Sequence, residues 1–344
     1  MLQFRTKGYQ GTALHYSPFY DNKLLVSSSA NYGLVGNGRL YVLSIQPTGE
    51  ISQDIAYDTQ DGLFDCAWSE IHENQVVCAN GDGSIKMFDI GVKSPFPIMQ
   101  WKEHQREVYC VNWNLVDKSQ FLSTSWDGTV KIWSPQRPQS SLLTLNTIKP
   151  GFKNNCAYQG TWNPHNKDML MSVNANGFVS VFDLRMGQPL VQEFLGHAGF
   201  EILTCDWNKY RPNVIATGSV DKSIKIWDLR MIQGSIDNSP MNGNTGSPIP
   251  MNQLLGHEFA VKKITWSPHS AGELLSCSYD MSARVWQDYT ADNNMSRFRK
   301  NQCKMFNRHT EFVAGGEYSL WGQPGWCGTV GWDEMCYVFD SRRL

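Results

Sequence analysis

A short segment that ends in an alternating strand recurs seven times along this chain of 344 residues. Each copy begins with small polar residues, passes through a turn that usually contains Asp or Asn, and closes on a large apolar residue. Examples are "TSWDGTVKIWS" (124–134) and "GSVDKSIKIWD" (218–228). A period of about 45 to 59 residues predicts one supersecondary unit per copy, with neighbouring units burying a shared core. The closing residues are Leu43, Phe88, Trp133, Phe182, Trp227, Trp286 and Phe339.

A second strand, which also ends in an aromatic residue, precedes each copy. Four copies carry a histidine upstream of that strand: His104, His197, His257 and His309. This combination resembles the WD repeat, whose period and Gly-His…Trp-Asp signature mark four-stranded propeller blades. We therefore predict an all-β fold, a single seven-bladed β-propeller over residues 1–344. The second aromatics are Tyr16, Trp68, Trp113, Trp162, Trp207, Trp266 and Tyr318.

The two ends of the chain predict how the ring closes. The few residues after Phe339 are too short for an outer strand, whereas residues 2–6 alternate between apolar and polar. We expect residues 2–6 to complete the last blade and to hide its edge. Segment 234–250, which is rich in Gly, Pro, Ser and Asn, is predicted to be a disordered loop within blade five. The predicted blades span approximately 8–50, 58–95, 104–146, 152–195, 197–255, 257–303 and 309–340.

Composition argues against several classes of protein. The net charge is −2 with a pI near 6.4, and the longest basic cluster, "RFRK" at 297–300, is interpreted as a solvated loop. A nucleic-acid partner is therefore not expected. The nine cysteines contain no C-x-x-C pair and are predicted to be buried thiols in a reducing compartment. Without an apolar run of membrane-spanning length or a signal-peptide core, the chain is expected to be cytosolic and to lack a membrane span.

Three sets of side chains have the residue types of a hydrolytic triad, but their repetition indicates a structural role. An enzyme needs one such site, whereas a repeat protein needs one internal network per blade, in which hydroxyl, imidazole, carboxylate and indole satisfy one another. We therefore predict no enzymatic activity and no cofactor or metal site. Asn37 and Asn176 replace the acid in blades one and four, where weaker networks are expected. The predicted structural tetrads are His104, Ser125, Asp127 and Trp133; His197, Ser219, Asp221 and Trp227; and His257, Ser278, Asp280 and Trp286.

Acidic residues occupy positions where a strand entering the core should not need them. When the first strands are aligned on their terminal aromatics, Glu107 and Glu201 fall at one mouth of the central channel, with Asp61 at the adjacent position in blade two. An exposed ion pair contributes only about 0–1 kcal/mol, so apolar contacts must supply much of any binding energy. A docking surface for a basic, amphipathic peptide is favoured over acids scattered by chance. The predicted aromatic part of this surface is Trp126, Tyr279, Trp332 and Phe312.

Longer stretches carry a more specific resemblance. In order along the chain, they are "DGLFDCAWSE" (61–70), "KEHQREVYCVNW" (102–113), "AGFEILTCDWNKY" (198–210), "SCSYDMSARVW" (276–286) and "RHTEFVAGGEYS" (308–319). They resemble the receptors for the type 2 peroxisomal targeting signal, the peroxin-7 family, from about residue 8 to residue 340. The acidic signal-binding positions of that family match Asp61, Glu107 and Glu201, whereas the aromatic positions follow from the repeat geometry alone.

The resemblance implies an import receptor that moves between the cytoplasm and the peroxisome. Such receptors bind an N-terminal signal on matrix proteins, for example thiolase-like enzymes, and act with a co-receptor and a docking complex at the peroxisomal membrane. The signal has the form R/K, L/V/I, five free residues, H/Q, L/A, so its fixed positions share one stripe of a helix. Helix-in-groove binding suits that stripe.

The repeat by itself leaves one alternative open, a scaffold or adaptor of a ubiquitin-ligase or chromatin complex. Two features also depart from the family pattern, the 234–250 insertion and the irregular seventh blade "EYSLWGQPGWCGTVGWDE". Either feature could serve the co-receptor. The sequence does not decide which surface the co-receptor uses or which cargo proteins are bound.

Overall fold

A computed structural model describes residues 1–92, 94–152, 154–232, 248–291 and 302–344. These residues form 28 strands in seven four-stranded antiparallel sheets, which confirms the predicted seven-bladed propeller. Most of the predicted loop 234–250, and all of the basic cluster 297–300, lie outside the described residues. No helix in the described ranges has the length and apolar character needed to cross a membrane. Their only helical segments are short 3-10 turns at Ala30–Gly33, Leu229–Met231, Tyr289–Ala291 and Ser341–Arg343.

Each blade contains strands that follow one another in the chain, except the last blade, which takes its outer strand from the N-terminus. The strands are β1 (Leu2–Arg5); in blade one β2 (Gln10–Tyr16), β3 (Lys23–Ser29), β4 (Gly38–Ile45) and β5 (Ile51–Thr59); in blade two β6 (Leu63–Trp68), β7 (Gln75–Asn80), β8 (Ile85–Asp89) and β9 (Met99–Trp101); in blade three β10 (Val108–Trp113), β11 (Phe121–Ser125), β12 (Thr129–Trp133) and β13 (Leu143–Asn146); in blade four β14 (Ala157–Trp162), β15 (Met169–Asn174), β16 (Phe178–Asp183) and β17 (Leu190–Leu195); in blade five β18 (Ile202–Trp207), β19 (Val214–Ser219), β20 (Ile224–Asp228) and β21 (Asn252–Leu254); in blade six β22 (Val261–Trp266), β23 (Glu273–Ser278), β24 (Ala283–Gln287) and β25 (Gln302–Phe306); and in blade seven β26 (Val313–Tyr318), β27 (Trp326–Gly331) and β28 (Met335–Asp340).

The N-terminal strand closes the ring as predicted. Strand β1 pairs antiparallel with β28, with Leu2 opposite Val338 and Phe4 opposite Cys336. Leu2 and Phe4 pack against the core between blades seven and one, and the alternate residues face solvent. The edge of β28 is therefore covered, and residues from the two ends of the chain share one sheet.

In the described residues, seven hydrophobic clusters lie at the junctions between adjacent blades, one at each junction. A smaller eighth cluster lies around the channel and contains Cys156, Tyr158, Ala175, Leu203 and Ala260. At the first junction, for example, Leu25 and Val42 of blade one pack with Leu63 and Trp68 of blade two. A single blade therefore has no complete core, and its apolar faces are buried only when both neighbours are present.

Glycines allow the turns of neighbouring blades to approach closely at one end of the propeller. Gly83 and Gly177 have φ of +82° and +79° in the hairpins of blades two and four. A Cβ at Gly83 would lie 2.8 Å from the carbonyl oxygen of His104, and one at Gly177 would lie 2.3 Å from that of His197. Both the left-handed backbone and the close approach therefore require glycine.

The cysteines are unpaired thiols, and all but one are buried. Burial raises the pKa of the Cys66 and Cys205 thiols well above the ordinary value, which disfavours the reactive thiolate. The exception is Cys303, which is exposed on the outer strand of blade six.

A hydrogen-bond network inside blade three joins the histidine, carboxylate and indole that the sequence placed together. Trp133 Nε1 donates to Ser123 Oγ at 2.8 Å, and that oxygen lies 2.7 Å from His104 Nε2. His104 Nδ1 lies 2.9 Å from Asp127. Blades five and six repeat this arrangement around His197 and His257.

The predicted hydroxyl of each network was wrong by two residues. Ser125, Ser219 and Ser278 instead donate to a carbonyl just before the first strand and accept a hydrogen bond from an amide of the hairpin turn. Because Trp133 lies opposite Phe121, its indole reaches the diagonal neighbour Ser123, about 7 Å along the strand. Ser125 is about 13 Å along and out of reach. The hydroxyls that complete the three networks are Ser123, Thr217 and Ser276.

Blade seven contains a related network that was not predicted. His309 Nε2 lies 3.0 Å from Thr329 Oγ1, and its Nδ1 lies 3.0 Å from both carboxylate oxygens of Asp333. Tyr337 packs edge-on against the imidazole at 4.8 Å. In blade four, which lacks the histidine, Asn176 donates instead to Asn155.

Replacing Ser123 with Ala should destabilise the propeller more than replacing Ser125. Ser123→Ala leaves a buried indole N–H and a buried imidazole nitrogen without partners, at about 2–4 kcal/mol. Ser125→Ala removes bonds to backbone groups beside an exposed turn, at roughly 1 kcal/mol. Urea unfolding of both variants measures the difference, and an equal or larger loss for Ser125→Ala would contradict the corrected network.

Candidate functional site

Every blade has a β-bulge in its innermost strand at the same position. In blade three, Val108 pairs with Ser125 and Cys110 with Thr124, so Tyr109 has no opposite residue. A bulge redirects the side chain of the extra residue, and all seven of these residues line one central cavity. We call them the throat ring: Thr12, Phe64, Tyr109, Tyr158, Leu203, Lys262 and Ala314.

The mouth of the channel lies directly above the throat ring. In six blades the residue two positions before the throat residue accepts a hydrogen bond from the amide that precedes the hairpin acid. In blade three Trp126 N donates to the Glu107 carbonyl at 3.0 Å, and in blade five Val220 N donates to Glu201 at 3.1 Å. The repeated bond places the two sets of predicted mouth residues at the same end of the channel. The other pairs are Gly81 with Gly62, Ala175 with Cys156, Tyr279 with Ala260, and Trp332 with Phe312.

The three predicted acids are all partly exposed at the mouth, on blades two, three and five. We call them the acidic arc. Asp61 accepts from the Gly62 amide at 2.8 Å, and a Cβ at Gly81 would lie 3.0 Å from the same carboxylate oxygen. The glycine therefore leaves the space that the Asp61 carboxylate needs.

Glu107 and Glu201 differ in how they are held. Glu201 accepts from the Tyr158 hydroxyl at 3.0 Å, and the combination of burial with this carboxylate raises the pKa of Tyr158. Glu107 lies 3.6 Å from Arg106, a basic mouth residue that the sequence interpretation overlooked. Arg106 also lies over the Trp126 ring at 5.7 Å. Because this ion pair is exposed, it contributes little and can exchange for a pair with a ligand.

The aromatic residues form two groups around the mouth. Tyr279, Phe312 and Trp332 pack together with centroid distances of 4.6 to 6.2 Å, and Tyr32 packs on Trp332 at 5.3 Å. These four residues, on blades six, seven and one, are the aromatic arc. Trp126, in contrast, packs beside the acids, against Phe64, Tyr109 and Tyr158. The three predicted acids, with Trp126 beside them, therefore lie on the blades opposite the aromatic arc.

Sequence reasoning missed the throat ring, although a signal was present. In the first strands the buried residues are spaced by three and then by two, as in Leu63, Cys66 and Trp68 or Val108, Val111 and Trp113. A regular strand requires even spacing between residues on one face. The odd step marks the bulge, and the residue after the first buried position points into the channel.

Polar residues fill the lower channel and serve mainly to satisfy the backbone. Asp65 accepts from the Val111 amide of the next blade at 3.1 Å, and Asp206 accepts from the Trp266 amide at 2.8 Å. Glu317 of blade seven accepts from the Tyr16 amide of blade one at 2.7 Å. These carboxylates accept hydrogen bonds from amides at the unpaired edges of the innermost strands, so their charges have a structural role.

His15 lies between two of these carboxylates. Its Nδ1 is 3.1 Å from Glu317 and its Nε2 is 3.3 Å from Asp65. Burial by itself would lower the pKa of His15, but the two carboxylates raise it to about 9. The imidazolium therefore links blades one, two and seven at neutral pH.

Comparisons with known proteins agree with this architecture. The family described as WD domain, G-beta repeat matches residues 96–134, 188–228 and 249–287. Three relatives bear the name peroxisomal targeting signal 2 receptor. The protein of Saccharomyces cerevisiae is 42% identical, over 99% of this chain and 100% of its own length. The protein of Komagataella phaffii is 45% identical over 100% of both chains, and that of Homo sapiens is 32% identical over 90% of this chain and 86% of its own.

Replacing His15 should change how stability depends on pH. Because the folded-state pKa of His15 is raised to about 9, its contribution is complete below the unfolded value near 6.5 and is lost as the pH rises through about 9. The maximum contribution is about 3 kcal/mol. In urea unfolding, the difference between the wild type and His15→Gln should be larger at pH 6 than at pH 10.

Glu317→Gln provides the matched background for this measurement. If the carboxylate raises the pKa of His15, the pH-dependent part of the His15→Gln effect should shrink when Glu317 is neutral. A difference that stays constant from pH 6 to pH 10 would show that His15 is not held as an imidazolium.

Proposed function

Because the chain belongs to the family of peroxisomal targeting signal 2 receptors, we propose that it binds the type 2 signal of peroxisomal matrix proteins at the mouth of its channel. The signal enters as a helix, with its basic residue toward the acidic arc and its apolar stripe on the aromatic arc. The observation that carries the proposal is the division of one mouth into an acidic side and an aromatic side.

The geometry of the acids supports recognition of a positive charge. Tyr158 and Asn154 hold the Glu201 carboxylate at 3.0 and 3.4 Å, so little rotamer freedom remains to be lost on binding. Glu107 has one exposed cation as its partner, Arg106. Within the described ranges, no ion pair involves Asp61 or Glu201 with a lysine or arginine. A cationic side chain from a ligand would therefore meet carboxylates that are still available.

The binding free energies indicate different roles for the acidic arc and the aromatic arc. A sheltered hydrogen bond to a charged group contributes roughly 1.5–3 kcal/mol, whereas micromolar affinity needs about 8 kcal/mol. Apolar burial on the aromatic arc, at about 25 cal/mol per Å², has to supply most of the difference. The acids then determine the orientation and the choice of ligand.

The same face supports a second protein partner. Leu34 and Val35 are 83% and 74% exposed beside Tyr32, and Phe200 and Phe259 are 53% and 55% exposed on blades five and six. Apolar residues concentrated around a binding mouth are typical of an interface. We propose that a co-receptor covers this rim after cargo binds, and that the complex carries cargo from the cytoplasm to a docking complex at the peroxisome.

The histidine networks support binding rather than catalysis. Each imidazole is buried in the interior of a blade and hydrogen-bonded on both nitrogens. These imidazoles are therefore shielded from a substrate at the mouth, with side chains that are 0 to 1% exposed.

Reversing two charges of the acidic arc should abolish binding of the signal. A fluorescent peptide of the form Arg-Leu-(five residues)-Gln-Leu should bind the wild type, whereas Glu107→Lys combined with Glu201→Lys should weaken binding at least a hundredfold by fluorescence anisotropy. A peptide with Glu in place of its Arg should regain part of its affinity for this double variant.

Asp21→Lys combined with Glu50→Lys provides a control with the same change in net charge. Both residues are exposed in loops at the opposite end of blade one. This control should bind the peptide as the wild type does. Unchanged binding by the Glu107 and Glu201 double variant would place the signal site elsewhere.

A further inference from the structure

The throat of the channel is closed by a contact between opposite blades. Lys262, the throat residue of blade six, reaches across the channel so that its Nζ lies 4.1 Å from the centroid of the Tyr109 ring on blade three. A cation over an aromatic face is stabilised most when it is shielded from water. The mouth is therefore closed at its base by side chains of the throat ring. We call the space above them the bowl, the throat ring its floor and the acidic arc its rim, so the Lys262 ammonium lies in the floor, below the carboxylates of the rim.

The Lys262 ammonium is a hydrogen-bond donor for which the described residues supply no acceptor. Within the described part of the chain, no carboxylate lies within ion-pair distance of Lys262 Nζ and no hydrogen bond involves it. Burial lowers the pKa of Lys262, because the ammonium loses hydration that the surrounding groups do not replace. The indole Nε1 of Trp126, which packs on Tyr109, is also buried and lacks a partner among the described residues.

The walls of the bowl fit the stem of a side chain. A cavity of about 50 Å³ opens above Lys262, and half of its lining residues are aromatic: Tyr32, Phe64, Tyr109, Tyr279 and Trp332. Gln10, Thr12 and Ser29 supply polar groups at one edge of the lining. Such a space suits an apolar stem that ends in a polar tip. With an ammonium at the bottom, that tip must accept hydrogen bonds rather than donate them.

We propose that the throat is a subsite for one side chain of the bound peptide, a carboxylate or an amide, and that Lys262 determines this specificity by accepting such tips and rejecting lysine or arginine. The inference rests on the proposed function, because it places the peptide helix at the mouth. In this proposal the acidic arc selects for a positive charge on the peptide, and Lys262 selects against a second positive charge at the throat. A helix with basic residues on every face would bind the acidic arc favourably but would be repelled by Lys262.

The position of Lys262 makes the test practicable. Its side chain lies in the channel and belongs to none of the seven clusters between blades, so an unbranched apolar replacement should leave the ring intact. Lys222 supplies a matched control, since it is an exposed lysine on the same face of the neighbouring blade. Removing either lysine changes the net charge equally, but only Lys262 lines the bowl.

The experiment scans a synthetic helical peptide of the form Arg-Leu-(five Ala)-Gln-Leu. Each position after Leu is replaced in turn by Glu and by Lys, and the dissociation constants are measured by fluorescence anisotropy. With the wild type and with Lys222→Met, one position should favour Glu over Lys by at least tenfold, the effect of one sheltered charged hydrogen bond. With Lys262→Met the ratio at that position should fall below threefold, and with Lys262→Glu it should invert.

Two outcomes would overturn the inference, and they can be told apart. If the unsubstituted peptide binds but the ratios are the same for the wild type and both Lys262 variants, the proposed function stands and the throat is not a subsite. If the unsubstituted peptide does not bind the wild type, the proposed function fails and the subsite fails with it. Circular dichroism and urea unfolding verify that each variant is folded.

Discussion

The structure depends on burying apolar surface between blades rather than within them. Each of the seven core clusters draws its residues from two neighbouring sheets, so every blade needs a partner on both sides. A chain with this requirement needs either a closed ring or capping repeats at its ends. The pairing of β1 with β28 meets it by making the two ends of the chain parts of one blade. Glu317, which caps the Tyr16 amide across the same junction, extends the closure into the channel.

Closure creates a channel, and the bulges decide what the channel contains. In a regular strand, Tyr109 and Lys262 would each lie opposite a residue of the neighbouring strand. Because of the bulges, neither residue has such a partner. The bulge adds one residue per blade and turns it toward the axis. These side chains lie outside the seven clusters between blades, although Tyr109, Tyr158 and Leu203 pack together in a smaller cluster around the channel. The bulge that interrupts each of the seven innermost strands therefore places one side chain in the channel.

The proposed recognition at the mouth combines opposite charges and an apolar surface around one opening. The acids on blades two, three and five favour a positive charge, the aromatic arc on blades six, seven and one provides apolar area, and Lys262 places a positive charge below both. A ligand that satisfies all three has a fixed direction as well as a fixed charge. Under the proposed function, three acids with modest individual energies can thus still control which peptide binds.

The sequence by itself determined the number of blades, the closing strand, the position of the histidine networks in the repeat and the end of the channel where Glu107 and Glu201 lie. It could do so because these features follow from the period of the repeat and from the alternation of strands. It did not determine that Ser123 rather than Ser125 completes the network of blade three, since the reach of an indole depends on strand register. Nor did it reveal the pairing of Arg106 with Glu107 or the passage of Lys262 to Tyr109. Those contacts join turns and blades that are distant in the chain, and only closure of the ring brings them together.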